Sequence, residues 1–151
     1  MSNGFARLIS TFFYVGHFPV APGTLASAVG VLLVLCLFPH MFIYVALTLI
    51  ITVIGIWAAG ITEKEVGKKD PGIVVIDEVA GVLVSFFMIP LSWPVIISGF
   101  FLFRAFDMFK IYPANKLEER GGGWGIVADD LAAGLYTNIV LQLAIFLAGR
   151  I

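Results

Sequence analysis

The chain has 151 residues, 60% of them hydrophobic and 13% charged, with a net charge of −1 and a mean hydropathy of +1.04. That length accommodates one domain, 1–151, and so apolar a composition excludes an ordinary water-soluble globule and points to a membrane class. The near-neutral balance excludes a nucleic-acid binder that works through a basic field, and the lone Cys36 excludes an internal disulfide.

Charge is also unevenly spread. Between Arg7 and Glu63 there is no Asp, Glu, Lys or Arg, and 79–103 and 131–149 are likewise free of charge. The start, MSNGFARLIS, has one positive charge and no apolar core leading to a small-residue cleavage site, so no cleavable signal is expected. Phe5, Leu8, Ile9, Phe12 and Phe13 follow helical spacing, with Arg7, Ser10, Thr11 and Tyr14 on the other face. This predicts an amphipathic helix lying in a membrane interface. The segment HFPVAPGTLAS (17–27) follows, with Thr24 as a natural N-cap and His17 either an acid–base group or an interfacial histidine.

The expected fold is an all-α polytopic membrane bundle of about five apolar helices. The first runs from about 24 to 38 and stops at Pro39-His40, the second from about 41 to 62, and the last from about 129 to 149. The middle run is the decisive one. As a single span, 79–103 would give four crossings, but it contains PLSWP, where Pro90 and Pro94 bracket Trp93. Two prolines so close favour a break, which predicts a hairpin of helices over about 73–89 and 93–112. With the hairpin, Arg7, Lys64, Lys68, Lys69, Arg104, Lys110, Lys116 and Arg120 share one face and Arg150 lies on the other. That asymmetry marks the charged face as cytoplasmic.

The hairpin brings three charged segments to one interface: 67–81, 103–113 and 119–134. Asp77 and Glu78 open one apolar helix, and Asp129 and Asp130 open another. Helix capping would explain each pair, but acids next to hydrocarbon are costly and usually have functional partners. Asp77 precedes Gly81 by four residues, as Asp130 precedes Gly134. Each acid thus lies one turn from a glycine that permits close helix approach, which would bring Asp77 and Asp130 together. Their repulsion would be resolved by a divalent cation, and all-oxygen ligands favour Mg²⁺. Arg104, Asp107 and Lys110 form one helical stripe. It is either an internally paired salt-bridge stripe or a third carboxylate with two cations for phosphate. Gly121, Gly122, Gly123 and Gly125 read as a flexible loop before the last helix. Its amides, at Gly122 and Gly123, can hold phosphate, although a plain turn would look the same.

The ordered motifs PVAPGT (19–24), VVIDEVAG (74–81), FRAFDMFK (103–110) and GGWGIVADDLAAG (122–134) resemble the phosphatidylglycerophosphatase A family over nearly the whole chain. The resemblance implies a bacterial inner-membrane enzyme that removes the terminal phosphate of phosphatidylglycerophosphate with Mg²⁺, giving phosphatidylglycerol. It also implies that Asp77, Glu78, Asp107, Asp129 and Asp130 are the acidic site residues, with Arg104 and Lys110 basic. Asp77, Asp107 and Asp130 are the expected metal ligands, and Glu78 and Asp129 further ligands or the base. The chain departs from the family pattern at Lys110-Ile111-Tyr112-Pro113 and at Glu119-Arg120-Gly121, where no histidine precedes the glycines.

Two other classes fit the sequence less well. A CDP-alcohol phosphotransferase also uses Asp and Mg²⁺ at a membrane face, but its DG…AR signature is absent. A small ion-coupled transporter would place acids near mid-membrane, whereas all ten acidic residues here flank the apolar runs.

Overall fold

The computed structural model describes residues 2–149. It contains seven α-helices and, among the described residues, no strand. They are α1 (Ser2–Ser10), α2 (Pro22–Leu37), α3 (Met41–Val66), α4 (Ile76–Ser85), α5 (Trp93–Phe109), α6 (Ala114–Glu119) and α7 (Gly122–Ala148). The all-α expectation holds, but the number of crossings needs correction. Among the described residues only α3 and α7 are long and apolar enough to cross a bilayer, not about five. At 1.5 Å per residue α4 measures roughly 15 Å and α2 and α5 roughly 25 Å, short of a ~30 Å hydrocarbon core.

The short α4 is the centre of the molecule. Ile76, Asp77, Val79, Ala80, Gly81, Val82, Leu83 and Ser85 are all buried, and α7, α2, α3 and α5 pack around them. Helices α4 and α7 cross closely at Gly81 and Gly134: a Cβ on Gly134 would lie 2.3 Å from the Gly81 carbonyl oxygen. The helix backbones therefore touch there, as small residues allow. Facing outward, α3 and α7 expose Leu49, Val53, Trp57, Leu135, Leu143 and Phe146. Only 22% and 28% of their most apolar stretches are buried. A soluble protein would not present so continuous an apolar surface to water.

The chain does break at PLSWP. Helix α4 ends at Ser85 and α5 starts at Trp93, with Pro94 in its first turn. The break comes four residues before the expected 89, because the last carbonyls of α4 find another partner. Asn138 of α7 donates its amide to the oxygens of Val84, Ser85 and Phe87, at 3.2, 3.1 and 2.8 Å. Helix ends buried away from water need such partners.

Other boundaries shift for similar reasons. Ala21, not Thr24, is the N-cap of α2, with Pro22 at its first position. Helix α5 stops at Phe109 rather than 112, because Lys110 takes a left-handed conformation (φ 43°). Helix α1 ends at Ser10, short of Phe12 and Phe13, and packs inward through small and polar residues. Ala6, Ser10 and Thr11 are buried while Phe5 and Phe13 are exposed. The cause is a polar contact: the Ser10 and Thr62 hydroxyls lie 2.7 Å apart, and the Ser10 carbonyl accepts the Val75 N–H just before α4. Arg150, the one basic residue expected on the opposite face, lies outside the described residues.

Candidate active site

Three helices carry the acids to one place. Asp77 and Glu78 sit on the first turn of α4. Asp107 lies on the last turn of α5. Asp129 and Asp130 do not open α7 as expected but lie two turns inside it, because α7 begins at Gly122. The glycine run is thus mostly helix rather than loop. Gly121 and Gly122 have φ of 67° and 69°, a region that favours glycine, and they turn the chain into α7. Gly123 packs against α3, where a Cβ would meet the Ile56 carbonyl and the Gly60 nitrogen. Capping therefore does not explain the second acid pair, since its members are far from the helix end and almost fully buried.

One oxygen from each of Asp77, Glu78 and Asp130 lies within 4.8 Å of the other two. Asp77 Oδ1, Glu78 Oε2 and Asp130 Oδ2 are all buried without a hydrogen-bond partner. Native structures rarely leave such atoms unsatisfied. Three carboxylates with orphaned oxygens in one buried cage form an all-oxygen donor set, which suits a hard divalent cation such as Mg²⁺. Ligand distances of ~2.1 Å put neighbouring oxygens roughly 3–4 Å apart, so small side-chain rotations close the cage. The residues fit the ion. The triad differs from the expected ligand set in holding Glu78 in place of Asp107.

The basic residues divide between two partners. Arg104 Nη1 donates to Asp107 Oδ2 at 2.5 Å and reaches Ser27 Oγ at 3.5 Å, while its Nε is buried with no partner. Lys110 Nζ donates to Asp129 Oδ2 at 2.8 Å and lies 3.6 Å from Asp70 Oδ2. Within the stripe Arg104 pairs with Asp107, while Lys110 reaches Asp129 and Asp70 on other segments. Asp129 turns away from the triad toward Lys110, and its Oδ1 accepts the Asp130 N–H at 3.0 Å. Asp107 is close enough to Asp130 and Glu78 to repel both. The result is a carboxylate cage edged by two cations.

Three residues near the site were not among the sequence candidates. Asp70, in the KKDPG loop, joins Lys110. Gly23 and Ser27, in the first turns of α2, border Glu78 and Arg104. Their i, i+4 spacing was the available signal, masked by reading PVAPGT as a helix start. His17 is exposed beside Arg7 and Tyr14. An apolar groove of about 270 Å³ is lined by Phe106, the neighbour of Asp107 in the chain, with Ile111, Tyr112, Tyr136, Ile139 and Val140.

Comparisons with known proteins identify the family. A protein of Bacteroides thetaiotaomicron, provisionally named a phosphatidylinositol-3-phosphatase, is 35% identical over 152 residues, covering 94% of each chain. Phosphatidylglycerophosphatase A of Haemophilus influenzae is 34% identical, covering 89% of this chain and 85% of the relative. The Escherichia coli protein of the same name is 31% identical, covering 93% and 83%. No solved structure matches the chain. The family model for phosphatidylglycerophosphatase A matches residues 8–145, which include every acid of the site. The chain belongs to the phosphatidylglycerophosphatase A family.

Proposed function

We propose that this protein is an Mg²⁺-dependent lipid phosphatase of the bacterial inner membrane, hydrolysing phosphatidylglycerophosphate to phosphatidylglycerol and phosphate in phospholipid biosynthesis. The observation that carries the reading is the set of three orphaned oxygens on Asp77, Glu78 and Asp130, with Arg104 on the Glu78 side. Membrane embedding is supported by two long apolar helices with lipid-like outer faces, and the cytoplasmic position of the site by its basic residues.

In this mechanism Asp77, Glu78 and Asp130 would hold the cation, with Asp107 as the adjoining fourth carboxylate. Mg²⁺ bound there would supply charge neutralisation and polarisation of the phosphate. Arg104 offers its unpartnered Nε to a phosphate oxygen. Lys110, between Asp129 and Asp70, offers a second positive charge. A water oxygen bonds to phosphorus as the bond to the glycerol oxygen breaks. A site carboxylate takes one proton of the water, and the leaving oxygen takes a proton in turn. The acyl chains stay in the bilayer and reach the site sideways, along the groove by Tyr136 and Ile139.

The test is phosphate release by purified protein in detergent, from phosphatidylglycerophosphate and in parallel from phosphatidylinositol 3-phosphate, with Mg²⁺ or with EDTA. Release from the first lipid should vanish in EDTA and fall at least 100-fold in Asp77→Asn and Asp130→Asn. Metal-independent release, or full activity in both variants, would sink the mechanism. Preference for the inositol lipid would move the substrate assignment and leave the mechanism standing.

A further inference from the structure

The first turn of α2 touches the site without supplying a charge to it. Gly23 is the second residue of that helix, and its φ is not positive, so its backbone does not itself demand glycine. Space does. A Cβ at this position would lie 2.2 Å from Glu78 Oε1, 3.2 Å from Glu78 Cδ and 3.5 Å from Arg104 Nη1. Carbon and oxygen that are not bonded cannot approach to 2.2 Å, so any side chain here displaces the Glu78 carboxylate by about 1 Å. The other oxygen of that carboxylate is one of the three orphans of the cage. One turn further on, Ser27 Oγ donates to the Gly23 carbonyl at 2.8 Å and accepts from Arg104 Nη1 at 3.5 Å. Ser27 is fully buried.

We infer that Gly23 and Ser27 are positioning residues: the first turn of α2 is a wall that sets where the Glu78 carboxylate and the Arg104 guanidinium stand. The inference rests on the cation reading above for its readout. It gives the APGT segment a task other than starting a helix. It also separates fold from site in an unusual way. Alanine is the better helix former by roughly 1 kcal/mol, and the atom it would strike is the end of a flexible side chain. Gly23→Ala should therefore fold well and bind metal badly.

The experiment uses the full chain in detergent and titrates Mn²⁺, followed by its paramagnetic resonance, alongside thermal unfolding in EDTA. Gly23→Ala should melt at or above the wild-type temperature without metal, and bind Mn²⁺ at least 10-fold more weakly. Shortening the displaced acid should restore the space, so Gly23→Ala/Glu78→Asp should regain at least 5-fold in Mn²⁺ affinity over Gly23→Ala. Ser27→Ala should leave Mn²⁺ affinity within 2-fold and raise KM for the phospholipid several-fold through Arg104. Wild-type protein that binds no Mn²⁺ overturns both the cation reading and the inference. A wild type that binds Mn²⁺, with a Gly23→Ala variant that binds it equally well or gains nothing from Glu78→Asp, overturns the inference alone. Failure of Gly23→Ala to fold also overturns it, because the glycine would then serve the fold.

Discussion

The substitution Asp77→Asn should make the metal-free protein more stable and the Mg²⁺-loaded protein less so. Asp77, Glu78 and Asp130 present oxygens within 4.8 Å of one another. At an effective dielectric near ~20, each ionised pair at that distance repels by about 3.5 kcal/mol. Removing one carboxylate abolishes two of the three pairs, about 7 kcal/mol in gross terms. Protonation sets a lower ceiling, since keeping one proton at pH 7 on an acid of ordinary pKa ~3.9 costs about 4 kcal/mol. The metal-free cage carries the smaller penalty. Asparagine keeps the shape, removes the charge and gives the neighbouring carboxylates an amide donor. A net gain of about 1–3 kcal/mol follows, or roughly 3–10 °C in Tm for a chain of this length. Wild type should recover the difference on adding Mg²⁺, which contributes about 2.7 kcal/mol at 100 times its Kd. The variant should gain less than a third of that. The assay is thermal unfolding in detergent, with EDTA or with saturating Mg²⁺. A variant that melts below wild type in EDTA, or that keeps the full Mg²⁺-induced rise, would refute the cage.

Asn138→Leu should cost about 2–4 kcal/mol, because the Ser85 and Phe87 carbonyls at the end of α4 lose their donor in an apolar interior, while Val84 keeps the Phe87 N–H. It should read as a lower Tm with phosphate release per folded molecule nearly unchanged, and wild-type stability would show that those carbonyls need no partner. Gly134→Ala should cost about 1–3 kcal/mol by pushing α7 off the Gly81 carbonyl, and should also abolish the Mg²⁺-induced rise in Tm as Asp130 leaves Asp77. An intact metal response would mean that the crossing does not set the cage. Single cysteines at Ser92 and Lys116, in a Cys36→Ser background, should be labelled from opposite sides of sealed vesicles. Labelling from one side would contradict the one-sided charged face.

Asp77 and Asp130 were legible because spacing encodes them. Asp77 to Gly81 and Asp130 to Gly134 repeat one period of four, and that period is what the α4–α7 crossing uses. Less legible were the lengths of the helices. Hydropathy reports that a residue tolerates an apolar setting, but burial inside the bundle and exposure to lipid read alike, so α4 looked like half of a spanning hairpin. Its end is set by Asn138, more than fifty residues away, which no local pattern announces. Helix α1 likewise turns Ser10 inward, since a serine hydroxyl can be buried once Thr62 meets it.

The division of labour among the charges belongs to tertiary structure entirely. Sequence placed five acids and two bases on three helices and made an oxygen-only cation site the expectation. Only packing could assign Glu78 to the triad, tie Asp107 to Arg104 and turn Asp129 toward Lys110. Those choices depend on the angles at which α2, α5 and α7 cross α4. The sequence by itself therefore determined the chemistry available, through residue type and helical period. Which oxygens stand without a partner was decided by helix packing, because a side chain's neighbours across a bundle are set by distance in space rather than along the chain.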